Sequence, residues 1–151
     1  MIEYKVETLD ECLEEVKPLL EEHYELVAMY KDRVELLPDY TRYYDMEKVN
    51  MLHIVTARDE GKLIGYFISV VSPHMHYMST KYAVNDIVFI EEAYRKTKVG
   101  LDMFKFTEEA LKADGVDVIV IHMKTSLPFD SLCEGLGYDY AERNYSKYIG
   151  E

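Results

Sequence analysis

The stretch Val84–Leu111, VNDIVFIEEAYRKTKVGLDMFKFTEEAL, constrains the fold of this chain more than any other. Ile87, Val88, Phe89 and Ile90 form a β-branched and aromatic block, which reads as a buried strand. Glu91–Tyr94 breaks that run, and Arg95, Lys96, Thr97 and Lys98 follow. Apolar residues then recur at helical spacing, at Val99, Met103, Phe106 and Ala110, flanked by Gly100, Phe104 and Leu111. This predicts a helix over Thr97–Asp114 with one wide apolar face, ended by Gly115. A strand, a basic turn and a helix together make an anion site. The first N–H groups of a helix lack an intrahelical partner, and the helix dipole favours negative charge there. Arg95, Lys96 and Lys98 reverse the local sign of a chain with 29 acidic and 17 basic residues and a net charge of −12. The turn is either a phosphate cradle or a solvated, Lys-rich helix start, because no full P-loop or dinucleotide-binding fingerprint is present.

At 151 residues the chain reads as one domain, 1–151, long enough to bury a core. Its 48% hydrophobic and 30% charged residues are ordinary for a soluble globular protein. No run approaches the roughly 20 apolar residues of a membrane span. The N-terminus, MIEYKVETLDE, is too acidic for a secretion signal, so cytosolic (cytoplasmic) residence is expected. Cys12 and Cys133 fit no zinc or redox spacing and read as reduced thiols, with no metal site expected. The acid excess argues against nucleic acid as a partner and suits a cationic acceptor such as an amine. A homodimer stays open.

Taken in order, Ile2–Val6 alternates as a strand, and Thr8 with Glu11 makes a capping box. A helical stripe runs through Leu9, Cys12, Leu13, Val16 and Leu20, interrupted by Pro18, and continues through His23, Tyr24, Val27 and Tyr30. Leu36–Tyr44 reads as a loop and Asp45–Met51 as a short helix. His53–Asp59 and Lys62–Val71 read as strands joined at Glu60-Gly61. Gly65 fits a bulge or a close backbone approach. Ser72–Thr80 (SPHMHYMST) reads as a loop and Lys81–Ile90 as the central strand. Val116–Met123 reads as a buried strand, Ser126–Glu134 as a short helix, and Tyr138–Ile149 as a last strand or strand pair.

YRKTKVGLDMF resembles the acetyl-CoA pyrophosphate loop of the GNAT (Gcn5-related N-acetyltransferase) superfamily, Arg/Gln-x-x-Gly-x-Gly/Ala, with Arg95 first and Gly100 last. Lys98 stands where that pattern has its middle glycine. ARDEGKLIGYFISVV resembles a hairpin of the same family, and LCEGLGYDYAERNYSKYIG (Leu132–Gly150) resembles its Phe-Tyr-Glu-Lys-Leu-Gly-Phe ending. EEHYELVAMYKD, LPDY and PHMHY are similar to a phage-associated subgroup. The resemblance implies an α/β (α+β) GNAT fold, with a mixed, mostly antiparallel sheet flanked by helices. It also implies acetyl-CoA as cosubstrate and N-acetylation of an unidentified amine in a ternary complex. The rival reading is an inactive GNAT-fold module that binds CoA or a protein.

Under that resemblance, the backbone of Val88, Phe89 and Ile90 pairs with the pantetheine. The N–H groups of Arg95, Lys96, Thr97, Lys98, Val99, Gly100 and Leu101 hold the pyrophosphate, and Ser126 takes the usual Asn position beside the pantetheine arm. Cys133 falls where many members carry a Tyr acid, and is either that acid or a buried apolar residue. Asp86, placed by period two on the face of Val88 and Ile90, is either the base or a hydrogen-bonded structural Asp. His74 and His76 reach the same site from an extended segment, or pack the loop, or offer a His-x-His metal pair that lacks a third ligand. His23, Tyr30 and Tyr43 belong to the acceptor half, where an aromatic wall can hold a cation.

Overall fold

The computed structural model describes residues 1–151. Five strands form one sheet in sequence order: β1 (Ile2–Val6), β2 (Leu52–Asp59), β3 (Lys62–His74), β4 (Tyr77–Ile90) and β5 (Val118–Val120). The first four are mutually antiparallel, and β5 runs parallel to β4. Helices α1 (Leu9–Val27) and α2 (Tyr40–Lys48) cover one face; α3 (Lys98–Ala113) and α4 (Asp130–Gly135) cover the other. This is the expected α+β architecture.

Leu9, Cys12, Leu13, Val16 and Leu19 of α1 pack on Ile54, Leu63, Tyr66, Ile68 and Phe89. On the opposite face, Val99, Met103, Phe104 and Cys133 pack on Val55, Ala57, Ile64 and Phe67. The β2–β3 hairpin turns at Glu60 and Gly61, both at positive φ, as a tight hairpin with right-handed strand twist requires. A bulge beside Gly65 shifts the register between Ala57 and Arg58. Leu63 and Tyr66, three apart, therefore reach the same face.

α1 opens on the capping box, with the Glu11 carboxylate accepting from the Thr8 N–H at 2.8 Å. Pro18 lies inside it without ending it. Pro18 is exposed, so the Glu14 carbonyl left without a donor faces water. α2 starts earlier than expected, at Tyr40, because Asp39 acts as N-cap and accepts from the Arg42 N–H at 3.0 Å. The expected loop at Leu36–Tyr44 is thus half helix, and of the expected helix Asp45–Met51 only Asp45–Lys48 is helical.

Other boundaries also move. Most of Ser72–Thr80 is strand: β3 and β4 continue as a two-stranded ribbon beyond the rest of the sheet, turning at Met75 and His76. β5 keeps only three residues of Val116–Met123, because its ladder with β4 ends at Val84 and Val120. The last helix begins at Asp130 rather than Ser126. Tyr138–Ile149 forms no strand.

Arg58 ties three elements together. Its Nε and one terminal nitrogen bond both Glu7 carboxylate oxygens at 3.0 and 3.1 Å. The other terminal nitrogen reaches Glu15 at 2.9 Å and the Gly61 carbonyl at 2.9 Å. Burial pushes the Glu7 carboxyl up and is the largest single effect, but the hydrogen bonds of Arg58, Thr56 and Lys5 and the Arg58 charge together outweigh it, and the net direction is down. Arg58→Ala leaves the buried Glu7 with only the half-exposed Lys5, 3.4 Å away, as an ion partner and is expected to cost about 3 kcal/mol, read by urea unfolding. The Glu7 contribution is present above its ordinary 4.5 and is lost as pH falls through the lower folded value. The mutant is therefore expected to lose less stability than the parent on acidification below that range.

Candidate active site

The site forms where β4 and β5 part. The ladder stops at Val84 and Val120. Asn85 then bridges the gap with its side chain: Nδ2 donates to the His122 carbonyl at 2.9 Å, and the His122 N–H donates to Oδ1 at 2.5 Å. Beyond this bridge no residue of β5 pairs with β4, so one edge of Val88, Phe89 and Ile90 carries no strand. Arg95 reaches it with one bond, from Nε to the Ile90 carbonyl at 2.8 Å, and its guanidinium lies 5.5 Å from the Phe89 ring centroid.

The basic turn leads from that edge into α3. Tyr94 ends a 3-10 turn and donates to Asp59 at 2.7 Å. Lys96 takes a left-handed φ of 62°. Thr97 is the N-cap: its hydroxyl donates to the Tyr94 carbonyl at 2.5 Å and accepts from Val99 N–H at 3.2 Å. The N–H groups of Lys98 and Gly100 have no acceptor in the protein, as expected at a first helical turn. Lys96 and Lys98 are exposed beside them. A Cβ at Gly100 would meet Ile90 Cδ1 at 3.4 Å and Leu132 Cδ2 at 3.7 Å, ordinary contacts. The fold itself thus tolerates a small side chain at Gly100, and a demand for glycine there would come from a ligand. Free N–H groups, two exposed cations and an open strand edge fit an extended, phosphate-bearing ligand.

A second group of polar side chains lies nearer the start of β4. The β3–β4 register slips between Ile68 and Ser69, so Asp86 is an extra, bulged residue. The bulge turns Asp86 away from the face of Val88 and Ile90, correcting the period-two expectation. Asp86 instead accepts a short hydrogen bond from the Tyr43 hydroxyl of α2. Burial, then this bond, raises the Tyr43 phenol well above its ordinary value, so it stays a donor. Tyr66 lies on the same face, wholly buried, and its hydroxyl has no partner. His23 of α1 packs 5.4 Å from the Phe89 ring.

The model of the acetyltransferase (GNAT) family matches residues 13–129. This chain belongs to the GNAT acetyltransferase family. Acetyl-CoA is the cosubstrate that goes with this family, and the open β4 edge with the α3 N-terminus fits its pantetheine and pyrophosphate. No curated protein matches the chain in sequence. Among solved structures, it is similar to a ribosomal-protein-alanine N-acetyltransferase from Brucella melitensis biovar Abortus 2308, at 15% identity and TM-score 0.73, covering 99% of this chain and 100% of that one. It is similar to glucosamine-6-phosphate N-acetyltransferase from Arabidopsis thaliana, at 13% identity and TM-score 0.73, covering 99% of each. It is also similar to a predicted acetyltransferase with acetyl-CoA from Clostridium acetobutylicum, at 12% identity and TM-score 0.71, covering 99% and 97%.

The remaining sequence candidates fall at different places in the fold. His74 and His76 sit at the tip of the β3–β4 ribbon, where His74 stacks on Tyr77 and tilts against Tyr82, and His76 meets His74 and Tyr77 edge-on. Lys81–Asp86 alone spans about 15 Å of strand, so the pair does not converge with Asp86. His74 Nδ1 instead accepts from the His76 N–H at 3.0 Å. Ser126 is exposed in a turn before α4. Cys133 is buried in the core under α3, and burial raises its thiol. Tyr30 lies beyond α1, hydrogen-bonded to Ser146 at 3.0 Å. Two site residues were missed in the sequence. Asn85 gave no signal beyond a polar residue in an apolar strand, and Tyr66 read as part of a hydrophobic run.

His23 is pushed down to about 4 by burial, then by the charges of Arg95 and Lys124. It is neutral at pH 7. Arg95→Ala is expected to raise that value while leaving it below 6.5, as read by NMR titration of the imidazole.

Proposed function

We propose that this chain transfers the acetyl group of acetyl-CoA directly to an amine within a ternary complex. The observation that carries this reading is the unladdered β4 edge lying between the free N–H groups of α3 and the bulged Asp86. The pantetheine lies along Val88, Phe89 and Ile90 and pairs with their backbone. The pyrophosphate takes the N–H groups of Lys98 and Gly100, with Lys96 and Lys98 as countercharges. Arg95 adds its charge to the same end.

Laid this way, the thioester ends near the bulge. The amine nitrogen attacks the thioester carbon, the N–C bond forms, the C–S bond breaks, and CoA leaves as thiolate. Asp86 accepts the proton that the nitrogen loses, and Tyr43 holds the carboxylate in place. Cys133 is read as a packing residue, and the thiolate takes its proton from water. His23, neutral at pH 7, lines the acceptor side together with Tyr43. Within the family, the N-terminal segments that resemble the phage-associated subgroup support a place there. No helix is long and apolar enough to cross a membrane.

Calorimetric titration with acetyl-CoA and CoA tests the cofactor site. Gly100→Asp sets a carboxylate beside the free N–H groups and is expected to abolish binding; parental binding by that variant would remove the site. Thiol release in the presence of amines tests the chemistry. Asp86→Asn is expected to lower kcat by about 100-fold with CoA affinity unchanged, whereas His76→Ala is expected to leave both near parental values.

A further inference from the structure

The edge of β4 that carries no strand is not bare. The 3-10 turn Glu92–Tyr94 folds the chain back, so that Arg95 faces the strand it has just left. Its Nε donates to the Ile90 carbonyl at 2.8 Å. Carbonyls point to alternate sides along a strand. The Phe89 carbonyl is turned toward β3, close against Gly65, so the Ile90 carbonyl is turned to the open side. Arg95 therefore stands where the N–H of a neighbouring strand, or of an amide laid along β4, would stand.

The guanidinium is loosely held there. It lies 5.5 Å from the Phe89 ring centroid, within cation–π range, but makes only the one hydrogen bond to Ile90. Its Nη2 is buried and has no acceptor. A buried donor without a partner costs stability, so the side chain gains by leaving when another group takes its place. The imidazole of His23 packs 5.4 Å from the same Phe89 ring. After burial, the Arg95 charge is the next cause that holds His23 down at about 4, and Lys124 adds to it. Toward α3, the exposed Lys96 and Lys98 and the N–H groups of Lys98 and Gly100 offer Arg95 a second place beside an anion.

We propose that Arg95 is a gate on the cosubstrate edge: its guanidinium occupies the place beside Ile90 that the pantetheine arm takes, and the arm enters by displacing it. This rests on the acetyl-transfer reading above and names a control built into the same site. The Ile90 carbonyl exchanges one N–H donor for another. The guanidinium leaves the Phe89 ring and turns to the phosphate end, where its charge is used. His23 then loses a neighbouring cation, so cosubstrate entry changes the electrostatics of the acceptor wall.

The test separates the two parts of CoA. Pantetheine has the arm without a nucleotide, and 3′,5′-ADP has the phosphates without the arm. Each is titrated calorimetrically into the parent and into Arg95→Ala. The variant is expected to bind pantetheine about tenfold tighter, since no charged donor competes for Ile90, and to bind 3′,5′-ADP no tighter than the parent does. The second readout is NMR titration of the His23 imidazole. Pantetheine carries no phosphate, yet saturating the parent with it is expected to raise the imidazole to its value in Arg95→Ala. Saturating the variant is expected to leave it there. Pantetheine binding by the variant that is equal or weaker, no pantetheine binding by either protein, or an imidazole that moves alike in both would overturn the gate. If pantetheine moves His23 as expected but no amine releases thiol from acetyl-CoA, the acetyl-transfer reading falls and the gate stands.

Discussion

The site depends on one side-chain amide. Asn85 takes both the N–H and the carbonyl of His122, the two groups that the next step of a parallel ladder would have used. It satisfies the buried backbone at the point where the strands separate, and lets them separate without orphaned groups. A shorter or apolar residue there would either pull β5 back onto β4 or leave the His122 amide unpaired. The same bridge accounts for the brevity of β5. The parting of the strands, the open β4 edge and the place for an extended ligand follow from it.

Two bulges then decide which side chains face which helices. The bulge at Gly65 lets β3 come close to β4: a Cβ there would sit 2.9 Å from the Phe89 carbonyl oxygen. It also brings Tyr66 onto the α1 face. The bulge at Asp86 inverts parity once more, so a carboxylate that alternation assigns to the α3 face reaches Tyr43 on α2. One added residue in a strand thus moves a candidate base from one side of the sheet to the other. The Arg58 cluster with Glu7 and Glu15 holds β2, the start of α1 and the β2–β3 turn in fixed relation. The α1 wall of the acceptor site rests on that frame.

Much of this was legible in the residues. Ile2–Val6, the Thr8–Glu11 capping box, the Glu60-Gly61 hairpin and the apolar stripe of α3 are local patterns, and each appears in the fold. The stretch Arg95–Gly100 also carried its own meaning, because a helix N-terminus exposes its N–H groups whatever surrounds it. Boundaries that depend on a cap or a partner strand moved. Asp39 started α2 early, and β5 shrank to the part that β4 could pair.

The sequence by itself determined the order of elements as far as α4, the two-sided core and the basic turn that opens α3, since periodicity and helix-end chemistry are properties of neighbouring residues. Only the tertiary structure decided where Asp86 points, that Asn85 spans the gap to His122, that Tyr66 is stranded without a partner, and that His74 and His76 stand apart from the site. Each of these turns on a register slip or a contact between residues far apart in the chain, which no local spacing records.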